Sequence, residues 1–259
     1  MGNYSPEKPP LRVFDGYALD FIKFAAALFM VNDHINAIWL HHSHMVMLLL
    51  GRTTFPLFCY AVAVAVWKID KAAPTPEARA AKVKRYFSRM MVLALLTQLV
   101  YPFSIGDYET VNVIFTLALG ALFAEQALRL RPAVMYALFL ASVIAMLWVQ
   151  PLEFGLAGVM APAAMLMAMR GDKKALCFTI LLLLFVNAGG ILEGFTRQIP
   201  AAAWAVYALT GVFSVVMPWF VLEMAAQLRG EGRFLPKYAL HVFYPGHMLA
   251  LRLLGMAFL

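Results

Sequence analysis

The sequence has few charged residues for its length. Only 14% of its 259 residues are Asp, Glu, Lys or Arg, whereas 63% are hydrophobic. A soluble domain carries about 25% charged residues and uses them to cover its surface. Several windows of roughly 18–22 residues are almost free of charge, enough to cross a hydrocarbon core of about 30 Å. We therefore exclude a soluble domain and predict an all-α, polytopic transmembrane helix bundle.

Cysteine is also scarce, and metal-binding patterns are missing. Cys59 and Cys177 are the two cysteines, and they lie in different apolar segments. This excludes a disulfide framework and a C-x-x-C redox pair. The sequence has no glycine-rich phosphate loop, and His41, His42 and His44 have no Cys or carboxylate at a ligand spacing. We therefore predict no metal site.

The apolar segments predict about nine membrane spans in one domain. Residues 1–16 are expected to form a cytoplasmic tail, and residues 17–259 a single transmembrane domain with a basic cytoplasmic loop at about 68–86. The predicted spans are 17–39, 46–67, 87–103, 111–128, 133–151, 155–170, 175–193, 203–226 and 239–257. Because 87–103 and 155–170 are short, one or both are expected to be tilted, broken or supported by neighbouring helices instead of lipid.

The distribution of basic residues predicts the orientation of these spans. Seventeen of the 21 Lys and Arg residues fall in the N-terminal tail and in alternate loops. Lys and Arg concentrate in the cytoplasmic loops of membrane proteins, so we predict a cytoplasmic N-terminus in a multi-pass protein. The net charge of +7 is then explained by topology and by contact with anionic membrane lipid, and we predict no nucleic-acid partner.

The first span carries several ionisable residues. Asp20, Lys23 and His34 are spaced by 3 and 11 residues, which places them on one helical face. Asp33 adjoins His34, and Arg52 follows the next loop, so it can return to the same depth. An ion-pair cluster that only serves packing is one interpretation. The other is catalysis, because a carboxylate beside a histidine can orient it as a base.

The last span contains a second polar group. Tyr244 and His247 are three residues apart on the same helix. Pro245 and Gly246 lie between them and are expected to kink this helix beside a cavity. In the fourth span Asn112 begins a face of small and polar residues. Helix packing is the favoured interpretation of Asn112, although we also keep it as a candidate for substrate binding.

Four stretches together resemble one known family. They are ALDFIKFAAALFMVNDH at 18–34, LGRTTFPLF at 50–58, NVIFTLALG at 112–120 and PKYALHVFYPGHM at 236–248. In this order they resemble the TraX family of conjugal-transfer proteins, including its TrbP-like branch. The family is in turn similar to polytopic membrane acyltransferases that use an intramembrane histidine.

The resemblance implies a bacterial inner-membrane enzyme of conjugative pilus biogenesis that acetylates the N-terminal amine of a pilin. Acetyl-CoA would be the donor, and the implied catalytic residues are Asp33, His34, Arg52 and His247. Substrate binding is expected to involve Asp20, Lys23, Asn112 and Tyr244.

Two alternatives remain open. The opening GYALDFIKF at 16–24 is closer to the TrbP-like branch, which suggests head-to-tail cyclisation of the pilin with no soluble cofactor. A non-catalytic pilin chaperone or a transporter could also place His, Asp and Arg along a membrane cavity.

Overall fold

All regular secondary structure in the described part of the chain is helical. The computed structural model describes residues 9–148, 151–187, 195 and 200–258. The helices are α1 (Gly16–Ile38), α2 (Met45–Gly51), α3 (Thr54–Ala72), α4 (Pro76–Gln98), α5 (Tyr101–Ile105), α6 (Val113–Ala127), α7 (Pro132–Ala145), α8 (Gly155–Met169), α9 (Lys173–Phe185), α10 (Ala201–Gln227) and α11 (Ala239–Phe258). The all-α prediction is thereby confirmed.

Each predicted span contains at least part of one of these helices, but several bounds differ, and two spans are interrupted. The second span is broken at Arg52, between α2 and α3, and the third is divided between α4 and α5. The basic loop is largely helical, because α4 begins at Pro76 and runs without interruption into the third span. The Thr75 hydroxyl caps this helix by accepting a hydrogen bond from Ala78 N–H. The end of the seventh predicted span, 188–193, lies outside the described residues.

Within the described residues, two helical stretches are long and apolar enough to cross a membrane by themselves. They are 45–72, which joins α2 and α3, and Ala201–Gln227. Helices α6, α7 and α8 are apolar but shorter. At about 1.5 Å per residue a 15-residue helix such as α8 spans about 22 Å, less than the hydrocarbon core. The count of nine spans and their orientation therefore stay predictions.

Helix α8 lies at the centre of the bundle. Gly155 and all residues from Ala157 to Met169 are buried. Small residues allow this close packing: a Cβ on Gly158 would lie 2.8 Å from the Phe55 ring, and a Cβ on Gly120 would lie 2.8 Å from Pro162. As expected for the short span 155–170, neighbouring helices support it.

Hydrogen bonds join helix α1 to the start of α2 and to α11. The Asn36 side chain exchanges two hydrogen bonds of 3.1 Å with the backbone of His44, just before α2. The Trp39 indole N–H donates to the carbonyl of Leu251 at 2.9 Å. Asn32 donates to the carbonyl of Met47 at 2.8 Å. These bonds set the register at which polar residues of α1, α11 and the α2–α3 break face one another.

Candidate functional site

The two candidate histidines meet across α1 and α11. His34 Nδ1 lies 2.7 Å from His247 Nε2, and the ring planes differ by only 7°. His247 Nδ1 lies 2.8 Å from the carbonyl oxygen of Phe243. Because a carbonyl only accepts, His247 carries its proton on Nδ1 and offers a lone pair at Nε2. His34 therefore donates from Nδ1, and its own Nε2 carries a free lone pair.

This hydrogen-bond chain is suited to general-base chemistry. A proton taken up at His34 Nε2 leaves a cation whose Nδ1–H already donates to His247, so the charge is stabilised where it forms. We expected Asp33 to orient His34. The structure assigns that geometry to His247 instead, since the Asp33 carboxylate is directed to Arg52. Adjacent residues on a helix point in different directions, so neighbours in sequence did not become partners.

Asp33 and Arg52 form the expected ion pair. Arg52 Nη2 lies 3.4 Å from Asp33 Oδ1. Gly51 makes room for this pair, because a Cβ at that position would lie only 2.2 Å from the Asp33 carboxylate oxygen. The same guanidinium donates through Nη1 to Asn187 Oδ1 at 3.4 Å, and Asn187 donates to Ser214 at 2.8 Å. The network ties the α2–α3 break to α9 and α10.

A first cavity, the basic cavity, opens on the side that carries the basic loops. It has a volume of about 420 Å³ and is lined mainly by apolar residues of α1, α3, α4 and α6. Four basic side chains contribute to its wall: Lys23, Lys68, Arg233 and Lys237. Tyr244 also lines it, and the Tyr244 ring meets the His34 ring edge to face with centroids 6.3 Å apart.

Asp20 organises one wall of the basic cavity. The buried carboxylate pairs with Lys23 at 3.6 Å and with Arg233 at 3.3 Å, and it accepts a hydrogen bond from Leu235 N–H at 3.1 Å. The segment before α11 is thereby held against α1. Asp20 and Lys23, both predicted to bind substrate, do line a cavity, but they lie at some distance along α1 from the His34 end.

A second cavity, the Arg52–Glu153 cavity, lies beside the α2–α3 break. Its volume is about 490 Å³, and it is lined by residues of α2, α8, α10, the α7–α8 connection and the two residues that follow α9. Arg52 and Glu153 are its charged residues among those described. Burial raises the pKa of Glu153 to about 7, although the nearby Arg52 charge opposes this shift.

Asn112 serves a structural purpose. It is fully buried and caps α6 by accepting from Ile114 N–H at 3.1 Å. Its amide group donates to the carbonyl of Ala94 at 2.9 Å and to Gln98 Oε1 at 2.8 Å. These bonds use both amide protons to join α6 to α4. The packing interpretation explains this geometry, and a substrate contact by Asn112 stays a prediction.

Glu153 lies in the site but was not among the residues predicted from the sequence. In sequence it is a single acidic residue at the start of a short span, which is typical of a residue at the membrane surface. Its proximity to Arg52 arises from contacts between segments about 100 residues apart, so no local pattern indicates it. Lys68 was likewise read only as part of a basic loop, and the structure places it on the wall of the basic cavity.

Comparison with known proteins gives one result. The sequence profile of the family described as TraX protein matches residues 18–255, nearly the whole chain. No curated protein and no solved structure gives a significant match.

Proposed function

We propose that this chain, which belongs to the TraX family, is a membrane-bound N-acyltransferase that modifies the N-terminal amine of a pilin. Its family supports a conjugation-related function associated with a pilin. The observation that carries the proposal is the hydrogen-bond chain from Phe243 through His247 to His34. It leaves one imidazole nitrogen, His34 Nε2, with a free lone pair, and the His34 ring contacts Tyr244 of the basic cavity. An acyl transfer to an amine needs a base at such a position.

The chemistry joins an amine nitrogen to an acyl carbon while the bond from that carbon to its leaving group breaks. In our proposal His34 Nε2 takes the proton that the amine nitrogen loses and passes it to the leaving group, which departs as the free thiol when the donor is a thioester. The tetrahedral oxyanion needs a donor, and Arg52 can supply one, because its two ion-pair and amide contacts are both long at 3.4 Å. Asp33 keeps the guanidinium in place and balances its charge.

Acetyl-CoA is the donor in this proposal, and the basic side chains of the basic cavity support it. When bound, acetyl-CoA supplies an activated acetyl thioester. Phosphates would meet Lys68, Lys237 and Arg233 near the mouth, where ammonium and guanidinium groups can pair with them. The pantetheine arm would then lie along the lining residues of α1, α3 and α4. The volume of about 420 Å³ is in the usual range for a small-molecule site.

Head-to-tail cyclisation of the pilin is the second candidate. The Arg52–Glu153 cavity holds one cationic and one anionic side chain. These could pair with the two ends of a peptide chain, the carboxyl end at Arg52 and the amine end at Glu153. The new peptide bond would form with loss of one water, and no soluble cofactor would be needed. A pilin chaperone or a transporter is the remaining alternative from a different class.

In cells the proposal places the protein in the bacterial inner membrane, with about nine spans and a cytoplasmic N-terminus. The basic cavity would then open to the cytoplasm, where acetyl-CoA is made. The Arg52–Glu153 cavity would open near the outer leaflet, where a pilin N-terminus emerges after processing.

The intact mass of the cognate pilin tests the proposal. It should be measured in cells that contain the protein, lack it, or contain His34→Ala. A gain of one acetyl group that His34→Ala abolishes would support acetylation, and the loss of one water would support cyclisation. His42→Ala is the matched control, because His42 is an exposed histidine in the α1–α2 loop. A pilin mass that is unchanged in the presence of the protein would refute both acetylation and cyclisation and would favour a chaperone or transporter.

A further inference from the structure

The Arg52–Glu153 cavity contains a carboxylate oxygen that lacks a partner. Glu153 Oε2 is buried and has no hydrogen-bond partner among the described residues. A buried acceptor without a partner is destabilising, and more so when it is charged. A ligand that donates a hydrogen bond to this oxygen would remove the penalty.

The charges around this oxygen favour a cation as the ligand. Arg52 is the cationic side chain of the cavity, but Asp33 pairs with it at 3.4 Å. That pair is close to neutral, so the Glu153 carboxylate is the uncompensated charge. A group that carries several N–H donors and a positive charge would satisfy Oε2 most completely. A primary ammonium group has three such donors.

The backbone holds Glu153 firmly in this position. Its N–H donates to the carbonyl of Val111 at 3.3 Å, and its carbonyl accepts from the Thr116 hydroxyl at 2.6 Å. The next residue, Phe154, has a φ of 63°, which is strained for a residue other than glycine. Stacking on Phe55, with ring centroids 4.0 Å apart, helps to maintain it. A side chain held in this way is preorganised for binding.

The rest of the cavity is suited to an apolar chain that follows the ammonium group. Its wall includes Leu48, Met146, Val186 and Val206, which belong to four different segments of the chain. A free ammonium ion or a small polyamine would leave this apolar surface unused. A peptide N-terminus with apolar side chains would fill it.

We propose that the Arg52–Glu153 cavity is the acceptor site, in which Glu153 binds the α-ammonium group of a peptide N-terminus. The inference rests on the proposed function for the identity of that peptide as a pilin. Glu153 acts here as a binding residue that selects a free amine. It is distinct from His34, which removes a proton.

Binding at this site should depend on pH in a defined way. The Glu153 pKa of about 7 means that the carboxylate becomes neutral as pH falls through that value, and the attraction for a cation is then lost. An α-amino group loses its own charge above about pH 8. Affinity should therefore peak between these values. The groups that face Glu153 from the neighbouring segments are Arg52, Asp33, Tyr101, Asp107, Tyr207 and Tyr244.

A binding experiment with the full-length protein tests the proposal directly. The probes are a short peptide with the N-terminal sequence of the cognate pilin and its desamino analogue, which lacks only the α-amino group. The protein carries His34→Ala so that no turnover occurs. We expect the free-amine peptide to bind about 10- to 100-fold more tightly than the desamino peptide, as a charge-assisted hydrogen bond provides. Glu153→Gln should abolish this preference, and Glu109→Gln, at an exposed position between α5 and α6, should retain it.

Glu153→Asp keeps the experiment informative if Glu153→Gln does not insert, because it preserves the charge and should retain part of the preference. Equal binding of the two peptides, or a preference that survives Glu153→Gln, would overturn the inference. The pilin mass measurement separates this outcome from failure of the proposed function. Pilin modified in a His34-dependent way without a Glu153-dependent preference refutes only the acceptor site. An unmodified pilin with that preference refutes only the acyltransferase.

Discussion

The hydrogen bond between His34 and His247 leads to a quantitative prediction. When His34 takes a proton at Nε2, its 2.7 Å bond to His247 becomes charge-assisted. Such a bond contributes about 1.5–3 kcal/mol. At 1.36 kcal/mol per tenfold change, His247→Ala should slow pilin modification by about 10- to 150-fold. The loss should appear in kcat, because the bond strengthens only as the proton is transferred.

The assay is the rate at which purified protein changes the mass of a pilin peptide. His247→Gln should lie between wild type and His247→Ala, since its amide oxygen can still accept from His34 Nδ1. His42→Ala, which removes an exposed imidazole, should behave as wild type. A rate for His247→Ala within about threefold of wild type, with equal insertion of both proteins, would refute the role of this bond.

Three further predictions concern packing, donor binding and stability. Gly51→Ala places a Cβ 2.2 Å from a carboxylate oxygen in the site, so it should destabilise the protein by about 1–3 kcal/mol with loss of pilin modification. Gly246→Ala should be tolerated, because nothing lies within 4 Å of the added Cβ. Thermal unfolding and the pilin assay check both variants. Lys68→Glu should raise the KM for acetyl-CoA about tenfold or more with kcat unchanged. Lys84→Glu, at an exposed position, should leave the KM unchanged, and equal KM values for the two variants would contradict the donor site. Glu125→Gln should lower the free energy of unfolding by about 1–3 kcal/mol, because this buried carboxylate pairs with Arg129 at 2.6 Å and with Arg79 at 3.4 Å. Unchanged stability in a denaturant titration would contradict this prediction.

The sequence predicted much of the helical layout but not the boundaries within it. Apolar runs and proline-containing breaks located the elements, because an α-helix satisfies its own backbone groups wherever it lies in the membrane. The break at Arg52 was not anticipated, since 46–67 reads as one apolar segment apart from that residue. The expected Asp33–Arg52 pair is present, because a short loop returned the chain to nearly the same depth.

The partners within the site could not be predicted in the same way. His34 and His247 were both proposed for catalysis, yet their direct bond joins residues 213 positions apart. The position of a single side chain relative to a distant helix depends on packing, here on contacts such as that between Trp39 and Leu251. Glu153 is a further example, since its environment is built from α2, α10 and the residues that follow α9.

Composition, apolar run length and motif order thus determined the helical class, the TraX family and the set of candidate residues, because these properties are local or additive along the chain. Tertiary structure alone decided that His247 orients His34, that Asn112 joins two helices, and that Arg52 and Glu153 share a cavity. The physical reason is that hydrogen bonds act over about 3 Å. Only the packed bundle brings groups from distant parts of the sequence within that range.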